Sequence, residues 1–339
     1  MPDTPGRVAP DTAAEPTVTE PAGPARRRRG RRVVLLSVVS VIVLLGLIAG
    51  GIFAFVNHEA GSIKRIPVKV TPQAAGSGMT ILLTGNQVGY TGTDKGTFDT
   101  GATGLIMLLH INANRKAGGV VSISPQLDEE VPGYGHMLLS QVLSAGGPSV
   151  LVKTVQSLTG VPINHYIRID FSHTAAVINA LGGVAVTLPQ QTTAFGHVLK
   201  AGPNQLNGVT AVAYVRQFSL TEQQRVLRQQ NLMRAMLTKM AQERLLTNPV
   251  TAVRLVTAIT GALSVDTNFS NAQIEKLVTE LGDLGAGSST FITAPVTVSG
   301  PTATLDGSVD GPLWNAVKDD SLATFAQQHP SAITPATPK

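Results

Sequence analysis

The stretch GLIMLLHINANRKAGGVVSIS, at Gly104–Ser124, decides the fold. It contains two apolar runs, Gly104–Ile111 and Gly119–Ser124, separated by the polar segment Asn112–Ala117. Short apolar runs rich in branched residues and joined by a polar turn are typical of neighbouring strands. A third run, Met79–Thr84, precedes them and ends at Gly85, which predicts a buried strand followed by a loop. The sequence therefore predicts a sheet at the start of the folded part.

Downstream of these strands, helical and strand patterns alternate. Pro148–Leu158 repeats apolar residues at helical spacing, and Gly160 after it suits a helix C-terminus. The other predicted elements are strands at His165–Asp170, Val184–Leu188 and Phe291–Val296, and helices at Ser172–Leu181, at Asn207–Arg216, from about Leu220 to Leu246, from Pro249, from Ser270 and at Gly311–Val317. The alternation predicts an α/β fold with a central mixed sheet flanked by helices, in one domain at residues 79–325.

A long uncharged run near the N-terminus predicts a membrane anchor. Val33–Val56 has 24 residues without a charge, and six arginines lie just before it, at residues 26–32. A helix of this length spans the roughly 30 Å hydrocarbon core, and the arginines place its N-terminal end in the cytoplasm. The alternatives are a cleaved signal peptide and a nucleic-acid-binding arm. The run is longer than the apolar part of a usual signal peptide, and no small-x-small cleavage site follows Phe55.

The expected organisation is that of a single-pass protein of the cell membrane with its N-terminus in the cytoplasm. Residues 1–32 form a disordered basic cytoplasmic tail and 33–56 a transmembrane helix. Residues 57–78 form a linker, 79–325 the extracytoplasmic domain, and 326–339 a flexible tail.

Charge and cysteine content exclude several classes of function. The chain carries a net charge of +5, of which residues 1–32 contribute +3 and the remaining residues only +2. A nearly neutral domain argues against a nucleic-acid-binding face. The chain has no cysteine, which excludes disulfides, thiolate zinc sites and cysteine nucleophiles. No Gly-x-Ser-x-Gly motif is present, which argues against a serine hydrolase.

A basic cluster at the start of the long predicted helix is the candidate site. Arg225, Arg228 and Gln229 have i, i+3 and i+4 spacing, and Arg216 ends the preceding helix. Converging guanidinium groups can clamp a phosphate, because their forked donors match phosphate oxygens. The alternative is a solvated basic face with local ion pairs to Glu222, which also has capping-box spacing from Ser219.

Ordered motifs from residue 79 to about 245 carry a resemblance to a known family. They are TILLTG at 80–85, MLLHIN at 107–112, VSIS at 121–124, GGP at 146–148, LVKTV at 151–155, LTGVPINHY at 158–166, DF at 170–171, LGGV at 181–184, LNG at 206–208, AYVR at 213–216 and RQQ at 228–230. In these motifs the chain resembles the LytR-CpsA-Psr family of bacterial cell-envelope proteins, whose domain also carries an older label of transcriptional attenuator.

The resemblance implies cell-wall biogenesis by a magnesium-dependent phosphotransferase. The family moves glycopolymers from polyprenyl pyrophosphate carriers to peptidoglycan, so the implied partners are the lipid-linked glycan, peptidoglycan and the membrane. It implies a pyrophosphate clamp at Arg216 and Arg225 and an acidic partner at Glu222. Arg228 and Gln229 are the implied substrate-binding residues beside that clamp.

The family's metal-binding aspartates are replaced in this chain. Gln87 and Gly104 stand at their positions, and Asp99 is the nearest acid that could substitute. A neutral amide is a poorer magnesium ligand than a carboxylate. Two hypotheses follow: a phosphotransferase with a rearranged metal site and weakened catalysis, or a non-catalytic protein of the envelope that binds polyprenyl phosphate or acts as a scaffold. Transcriptional attenuation is excluded, because the domain is nearly neutral and expected outside the cell.

Overall fold

The computed structural model describes residues 63–90, 97–217, 220–243, 249–284 and 289–337 of the 339-residue chain. Its strands are β1 (Lys64–Ile66), β2 (Met79–Tyr90), β3 (Thr97–Ile111), β4 (Gly118–Ser122), β5 (Asp128–Val131), β6 (Gly135–Leu138), β7 (His165–Ile169), β8 (Val184–Leu188), β9 (Thr192–Ala194), β10 (His197–Leu199), β11 (Gly202–Leu206), β12 (Leu263–Asp266), β13 (Ser289–Thr293), β14 (Val296–Ser299) and β15 (Thr302–Leu305). Its helices are α1 (Leu139–Thr159), α2 (Phe171–Ala180), α3 (Gly208–Arg216), α4 (Glu222–Glu243), α5 (Pro249–Ala262), α6 (Asn271–Leu284), α7 (Asp310–Lys318) and α8 (Leu322–Gln328).

A seven-stranded mixed sheet forms the centre of the fold, in the order β1-β12-β7-β2-β3-β4-β13. The pairs β1/β12, β2/β7 and β4/β13 are parallel, and the other neighbours are antiparallel. The hairpin of β3 and β4 turns through Asn112–Ala117, where the Asn112 amide donates to the Ala117 carbonyl at 3.0 Å. These observations confirm the predicted mixed α/β architecture.

Helices cover both faces of the sheet because successive strand side chains point to opposite sides. Leu82 of β2 and Leu108 of β3 pack with α1, α7 and α8, in a core that includes Trp314. Ile81 and Leu83 point the other way, toward α4 and α6. A third apolar cluster joins α2, α3 and α5 to the antiparallel pair of β8 and β11. Burial on both faces accounts for the continuous apolar runs in β2 and β3.

The strand at Met79–Thr84 does not end at Gly85 in a loop, as we expected. It continues to Tyr90 as an antiparallel partner of β3, with register shifts on either side of Asn86. Glycine and amide residues favour turns and loops in a sequence pattern, but backbone pairing with a long neighbour can hold them in a strand. The glycines after the apolar run therefore belong to a hairpin arm up to Tyr90.

Two helix starts show detail that the sequence pattern did not give. α1 runs from Leu139, but Gly147, with a φ of 75°, interrupts it, so the predicted helix from Pro148 forms its second part after a kink. α4 is capped by Thr221 and Gln224, each of whose side chains accepts from the other's backbone amide. Ser219 and the side chain of Glu222, which form the predicted cap, lie outside the described part of the structure.

Backbone pairing with the sheet extends beyond both predicted domain boundaries, residues 79 and 325. β1 precedes residue 79 and pairs with β12, and Val68 is buried in the core. At the other end, the Thr334 amide donates to the Phe291 carbonyl at 2.9 Å, and Thr334 is 2% exposed. The described parts of the expected linker and flexible tail are thus ordered by backbone pairing with the sheet.

The predicted cytoplasmic tail and transmembrane helix, residues 1–56, lie outside the described residues. Within the described ranges, we find no helix that combines the length and the apolar character needed to cross a bilayer.

Candidate functional site

The carboxyl end of β7 lies beside the middle of its parallel neighbour β2, at the centre of the sheet. β2 and β7 lie side by side with Thr84 opposite Arg168 and Gly85 opposite Ile169. Asp170 follows β7 directly, and α2 begins at the next residue. Loops outside the carboxyl ends of parallel strands are where α/β sheets commonly bind ligands. This end of the sheet therefore positions Arg168 and Asp170 for such a role.

An apolar cavity of about 250 Å³ lies between this sheet and the helices α2, α4, α5 and α6. Leucine, isoleucine, methionine and phenylalanine side chains make up most of its lining, among them Leu83, Phe171, Leu232, Met236 and Leu255. The polar lining residues are Thr174 and Gln229. Such a lining suits an aliphatic chain better than a sugar or a nucleotide, because it offers almost no hydrogen-bonding groups.

Arg216 lies beside this cavity at the C-terminal end of α3. Its guanidinium carbon is 6.0 Å from the centre of the Phe171 ring, and Phe171 lines the cavity. Its Nη2 is buried and has no hydrogen-bond partner among the described residues. Burial lowers the pKa of Arg216, and the nearby Asp170 carboxylate opposes that shift. A partly desolvated cation with an unused donor is well prepared to receive an anion.

Arg228 is engaged within the protein. The side chain is 8% exposed, and its Nη1 donates to the Tyr214 carbonyl at 3.0 Å and to Gln217 Oε1 at 2.8 Å. The guanidinium carbon also lies 5.0 Å from the centre of the Tyr214 ring. These contacts hold α4 against the end of α3. A substrate-binding role for Arg228 stays a prediction.

Gln229 and Arg225 differ in their surroundings. Gln229 is buried, donates from Nε2 to the Gly104 carbonyl at 3.1 Å, and lines the cavity. Arg225 is half-buried in the first turn of α4. The side chain of Glu222 lies outside the described part of the structure. Of the predicted site residues, Arg216 and Gln229 are thus both associated with the cavity.

Most of the chain matches one protein-family model. Residues 53–324 match the LytR_cpsA_psr family model, which is well over half of the chain. The chain belongs to the LytR_cpsA_psr family.

Curated relatives within this family are proteins of the cell wall. The chain is 29% identical over 174 residues to the probable cell wall biosynthesis protein LcpB of Corynebacterium glutamicum, covering 50% of this chain and 42% of LcpB. It is 28% identical over 199 residues to the polyisoprenyl-teichoic acid–peptidoglycan teichoic acid transferase TagU of Bacillus cereus, covering 55% of this chain and 63% of TagU. The chain therefore spans less than two thirds of the length of each.

The fold is that of LytR_cpsA_psr structures. A LytR-Csp2A-Psr enzyme from Actinomyces oris superposes with a TM-score of 0.62, covering 76% of this chain and 96% of the enzyme at 20% identity. At this level of identity the similarity establishes the shared fold, including the central mixed sheet with helices on both faces.

Most positions expected to hold magnesium have side chains outside the described part of the structure. The side chains of Gln87 and Asp99 lie outside the described part, which shows Asp99 only as the backbone partner of Val88. The Gly104 carbonyl already accepts from Gln229. Among the described residues, no three acids or histidines are grouped closely enough to hold a metal. Magnesium dependence therefore stays a prediction from the family resemblance.

Three polar residues between the end of β7 and the first turn of α2 had no role predicted from the sequence. They are Arg168, Asp170 and His173. The Asp170 carboxylate lies 3.3 Å from His173 Nδ1 and acts on Arg216 electrostatically. A pattern could have pointed to them, because an acid directly after a buried strand and before a helix lies at a strand's carboxyl end. The parallel pairing with β2 that makes this position important is a tertiary feature.

Proposed function

We propose that the protein is a membrane-anchored enzyme of the cell envelope, which transfers a glycopolymer from a polyprenyl pyrophosphate carrier to peptidoglycan. One observation carries the proposal: the apolar cavity has Arg216 at its Phe171 side, with a buried guanidinium donor that no described residue accepts from. A polyprenyl pyrophosphate has the same two parts, an aliphatic chain and an anion. The TagU relative is named for transfer from a polyisoprenyl-linked teichoic acid, which supports this substrate class.

The cavity supplies the affinity for the lipid. Burying apolar surface contributes about 25 cal/mol per Å², so a few isoprene methylene groups placed among Leu83, Leu232 and Met236 add several kcal/mol. Because this attraction is the same before and after transfer, it binds the carrier without favouring the transition state. Rate acceleration must come from the charged end of the site.

The arginines supply the charge stabilisation. In the transfer, a hydroxyl oxygen of the acceptor forms a bond to the phosphorus that carries the glycan, and the bond from that phosphorus to the bridging oxygen breaks. The polyprenyl phosphate leaves with the additional negative charge, and the hydroxyl proton leaves to solvent or a base. Arg216 and Arg225 would neutralise the phosphate oxygens, and Asp170 would orient Arg216 through their electrostatic contact.

Dependence on magnesium is proposed only because the family resemblance implies it. When bound, the cation would neutralise pyrophosphate charge. With Gln87 and Gly104 at the positions of the family's aspartates, we propose weaker magnesium binding and slower transfer than in relatives that have both carboxylates.

The proposal also includes the location of the domain. Val33–Val56 would anchor the chain, with the domain on the outer side of the membrane where lipid-linked glycans are used. A topology reporter fused after Lys339 is expected to be active outside the cytoplasm. Activity of the reporter only in the cytoplasm would refute this arrangement.

A transfer assay tests the function. The full-length protein in detergent is incubated with a radiolabelled lipid-linked glycan and peptidoglycan, with magnesium or with a chelator, and labelled peptidoglycan is measured. We expect magnesium-dependent transfer that Arg216→Gln abolishes, while Arg254→Gln on an exposed part of α5 leaves it intact. Tight binding of the lipid without transfer would instead support a non-catalytic envelope protein, and neither binding nor transfer would refute both.

A further inference from the structure

The small hairpin of β9 and β10 lies outside the central sheet, next to the charged end of the site. The Thr192 hydroxyl of β9 donates to Gln217 Oε1 at 2.9 Å, and Gln217 directly follows Arg216 in the chain. Arg228 Nη1 donates to the same oxygen at 2.8 Å. These two hydrogen bonds hold the hairpin beside the arginines at the end of α3 and in the first turns of α4.

The hairpin has one exposed face. Thr193 and Val198 are cross-strand partners on that face, and both are exposed, Val198 at 57%. Lys200, which follows β10 directly, is exposed as well. Single apolar side chains are common on protein surfaces, so Val198 alone indicates no partner. The turn that joins the two strands is more informative.

Phe195 and Gly196 form the two-residue turn between the strands, with φ angles of 49° and 79°. A turn with positive φ at both positions is usually made by Asn-Gly or Asp-Gly. Phenylalanine rarely adopts positive φ, because its side chain crowds the backbone, whereas asparagine tolerates this conformation. The Phe195 side chain is half-buried, so part of its surface is open to solvent. Because strained residues are concentrated at functional sites, an aromatic ring kept in this turn points to a function for the ring.

The hairpin lies in a stretch of the chain without acidic residues. No aspartate or glutamate occurs between Asp170 and Glu222, whereas Lys200 and Arg216 lie within this stretch. A surface with cations and no acids attracts anions. Aromatic and aliphatic side chains next to cations are typical of protein segments that bind the interface of an anionic bilayer.

The chain enters the domain at the same end of the sheet. Lys64, the first residue of β1, pairs with Ser264, and Ser264 pairs with Arg168. The start of β1 therefore lies level with the carboxyl end of β7, where the site begins. Only residues 57–63 separate Lys64 from the predicted anchor at Val33–Val56, and fully extended they reach less than about 30 Å. Such an anchor would keep this end of the sheet close to the bilayer.

We propose that the hairpin of β9 and β10 contacts an anionic lipid bilayer, with Phe195 and Val198 inserted between the lipids and Lys200 at their phosphate groups. Apolar side chains gain free energy by leaving water, and a lysine near an anionic surface adds electrostatic attraction. The contact places Arg216 near the depth of the headgroups, where the phosphates of a membrane lipid lie. This inference rests on the proposed membrane anchor, but it is independent of the transfer reaction.

Fluorescence quenching by spin-labelled lipids tests this contact. The chain has no cysteine, so Thr193→Cys gives a single attachment point for an environment-sensitive fluorophore, with Phe195 and Val198 unchanged. The labelled full-length protein is incorporated into vesicles of equal parts phosphatidylglycerol and phosphatidylethanolamine. We expect a blue shift of the emission, and loss of the emission when the acyl chains carry a nitroxide. Lys116→Cys with the same fluorophore is the matched control and should show neither change, because Lys116 is exposed on the β3–β4 turn at the opposite end of the sheet.

Two variants of the labelled protein separate insertion from mere nearness to the membrane. Phe195→Ser should reduce both the blue shift and the quenching, because the ring no longer enters the lipid. Lys200→Gln should reduce them in these anionic vesicles and leave them unchanged in vesicles of phosphatidylcholine. Thermal unfolding of each variant, compared with that of the labelled parent, shows whether the fold is retained.

The outcomes distinguish this contact from the proposed transfer, because no substrate is present. A protein that does not float with the vesicles would refute the anchor and the contact together. A protein that floats but shows no quenching at residue 193, equal quenching at residue 116, or unchanged quenching in Phe195→Ser would refute the contact alone. Shielding of the fluorophore by peptidoglycan fragments instead of lipid would assign the face to the cell wall and overturn the proposal. Quenching as expected in a protein without transfer activity would refute only the transfer.

Discussion

Gln229 donates from its side-chain amide to the carbonyl oxygen of Gly104, 3.1 Å away, and so joins α4 to β3 beside the apolar cavity. This bond explains why Gln229 can lie in a largely apolar lining, since its donor is satisfied by a strand carbonyl. It also places the backbone of Gly104, a position where the family has an aspartate, in contact with the helix that carries the arginines.

Replacing Gln229 tests how much its bond to Gly104 contributes to stability. Gln229→Leu removes the donor and leaves the Gly104 carbonyl without it, which should cost about 1–3 kcal/mol of unfolding free energy. Urea denaturation followed by circular dichroism measures this loss. Gln223→Leu on an exposed position of the same helix is the control and should be near neutral. Equal stability of the two variants would show that the bond contributes nothing.

Arg216 should matter more for binding than for folding. The Arg216→Gln variant loses a cation whose buried Nη2 has no acceptor among the described residues, so unfolding free energy should change little. Affinity for a polyprenyl pyrophosphate should fall by at least about tenfold, because a charge-assisted contact is lost. Binding to a fluorescent analogue and thermal unfolding are measured in parallel, with Arg254→Gln as control. A large loss of stability without a change in affinity would contradict the assigned role.

Filling the cavity should block the lipid chain while sparing the charged end. Met236→Trp places a larger side chain in the lining and should weaken a long polyprenyl phosphate roughly tenfold, the effect of about two methylene groups denied burial. A short-chain analogue should be affected less. Met137→Trp on β6, which does not line the cavity, is the control. Equal weakening of both analogues would argue against a chain bound in this cavity.

A buried histidine should make stability depend on pH. His110 Nε2 lies 2.7 Å from Asp320 Oδ1 and Nδ1 lies 2.9 Å from the Thr80 hydroxyl. Burial lowers the pKa of His110 from its usual 6.5, against the opposing effect of Asp320. The unfolded chain therefore takes up this proton at higher pH than the folded one, so stability is present above pH 6.5 and is lost as pH falls through the lower folded-state pKa.

Urea midpoints measured from pH 8 to pH 5 test this dependence. His110→Gln removes the titrating group and should flatten the part of the curve below pH 6.5. His136→Gln, at an exposed position on β6, should leave the curve as it is. An unchanged slope in His110→Gln would show that other groups cause the dependence.

The elements that the sequence predicted well have strong local signals. Pro249 opens α5, and the Ser270 hydroxyl and Gln273 form the cap of α6, where Gln273 N lies 3.3 Å from the hydroxyl oxygen. The Asn207 cap of α3 is equally local. Such signals involve neighbours within one turn, so a single sequence contains them.

The features that the sequence missed depend on distant partners. The extension of β2 to Tyr90 comes from pairing with β3, and the kink that lets α1 start at Leu139 comes from the backbone of Gly147. Asp170 acts on Arg216 only because β7 pairs with β2 and the C-terminal end of α3 lies near the end of β7. Residues far apart in the chain create these relationships, and no local pattern encodes them.

The contact of the C-terminal segment with β13 has a consequence for solubility. β13 is an edge of the sheet and carries the apolar residues Phe291 and Ile292. Exposed edge strands of this composition can pair with other chains and aggregate. Here Ile333 bridges Ile292, and the Thr334 amide occupies the Phe291 carbonyl, so the edge is already covered. The opposite edge strand, β1, is only three residues long and includes Lys64 and Arg65. A short, charged edge strand also disfavours pairing with another chain.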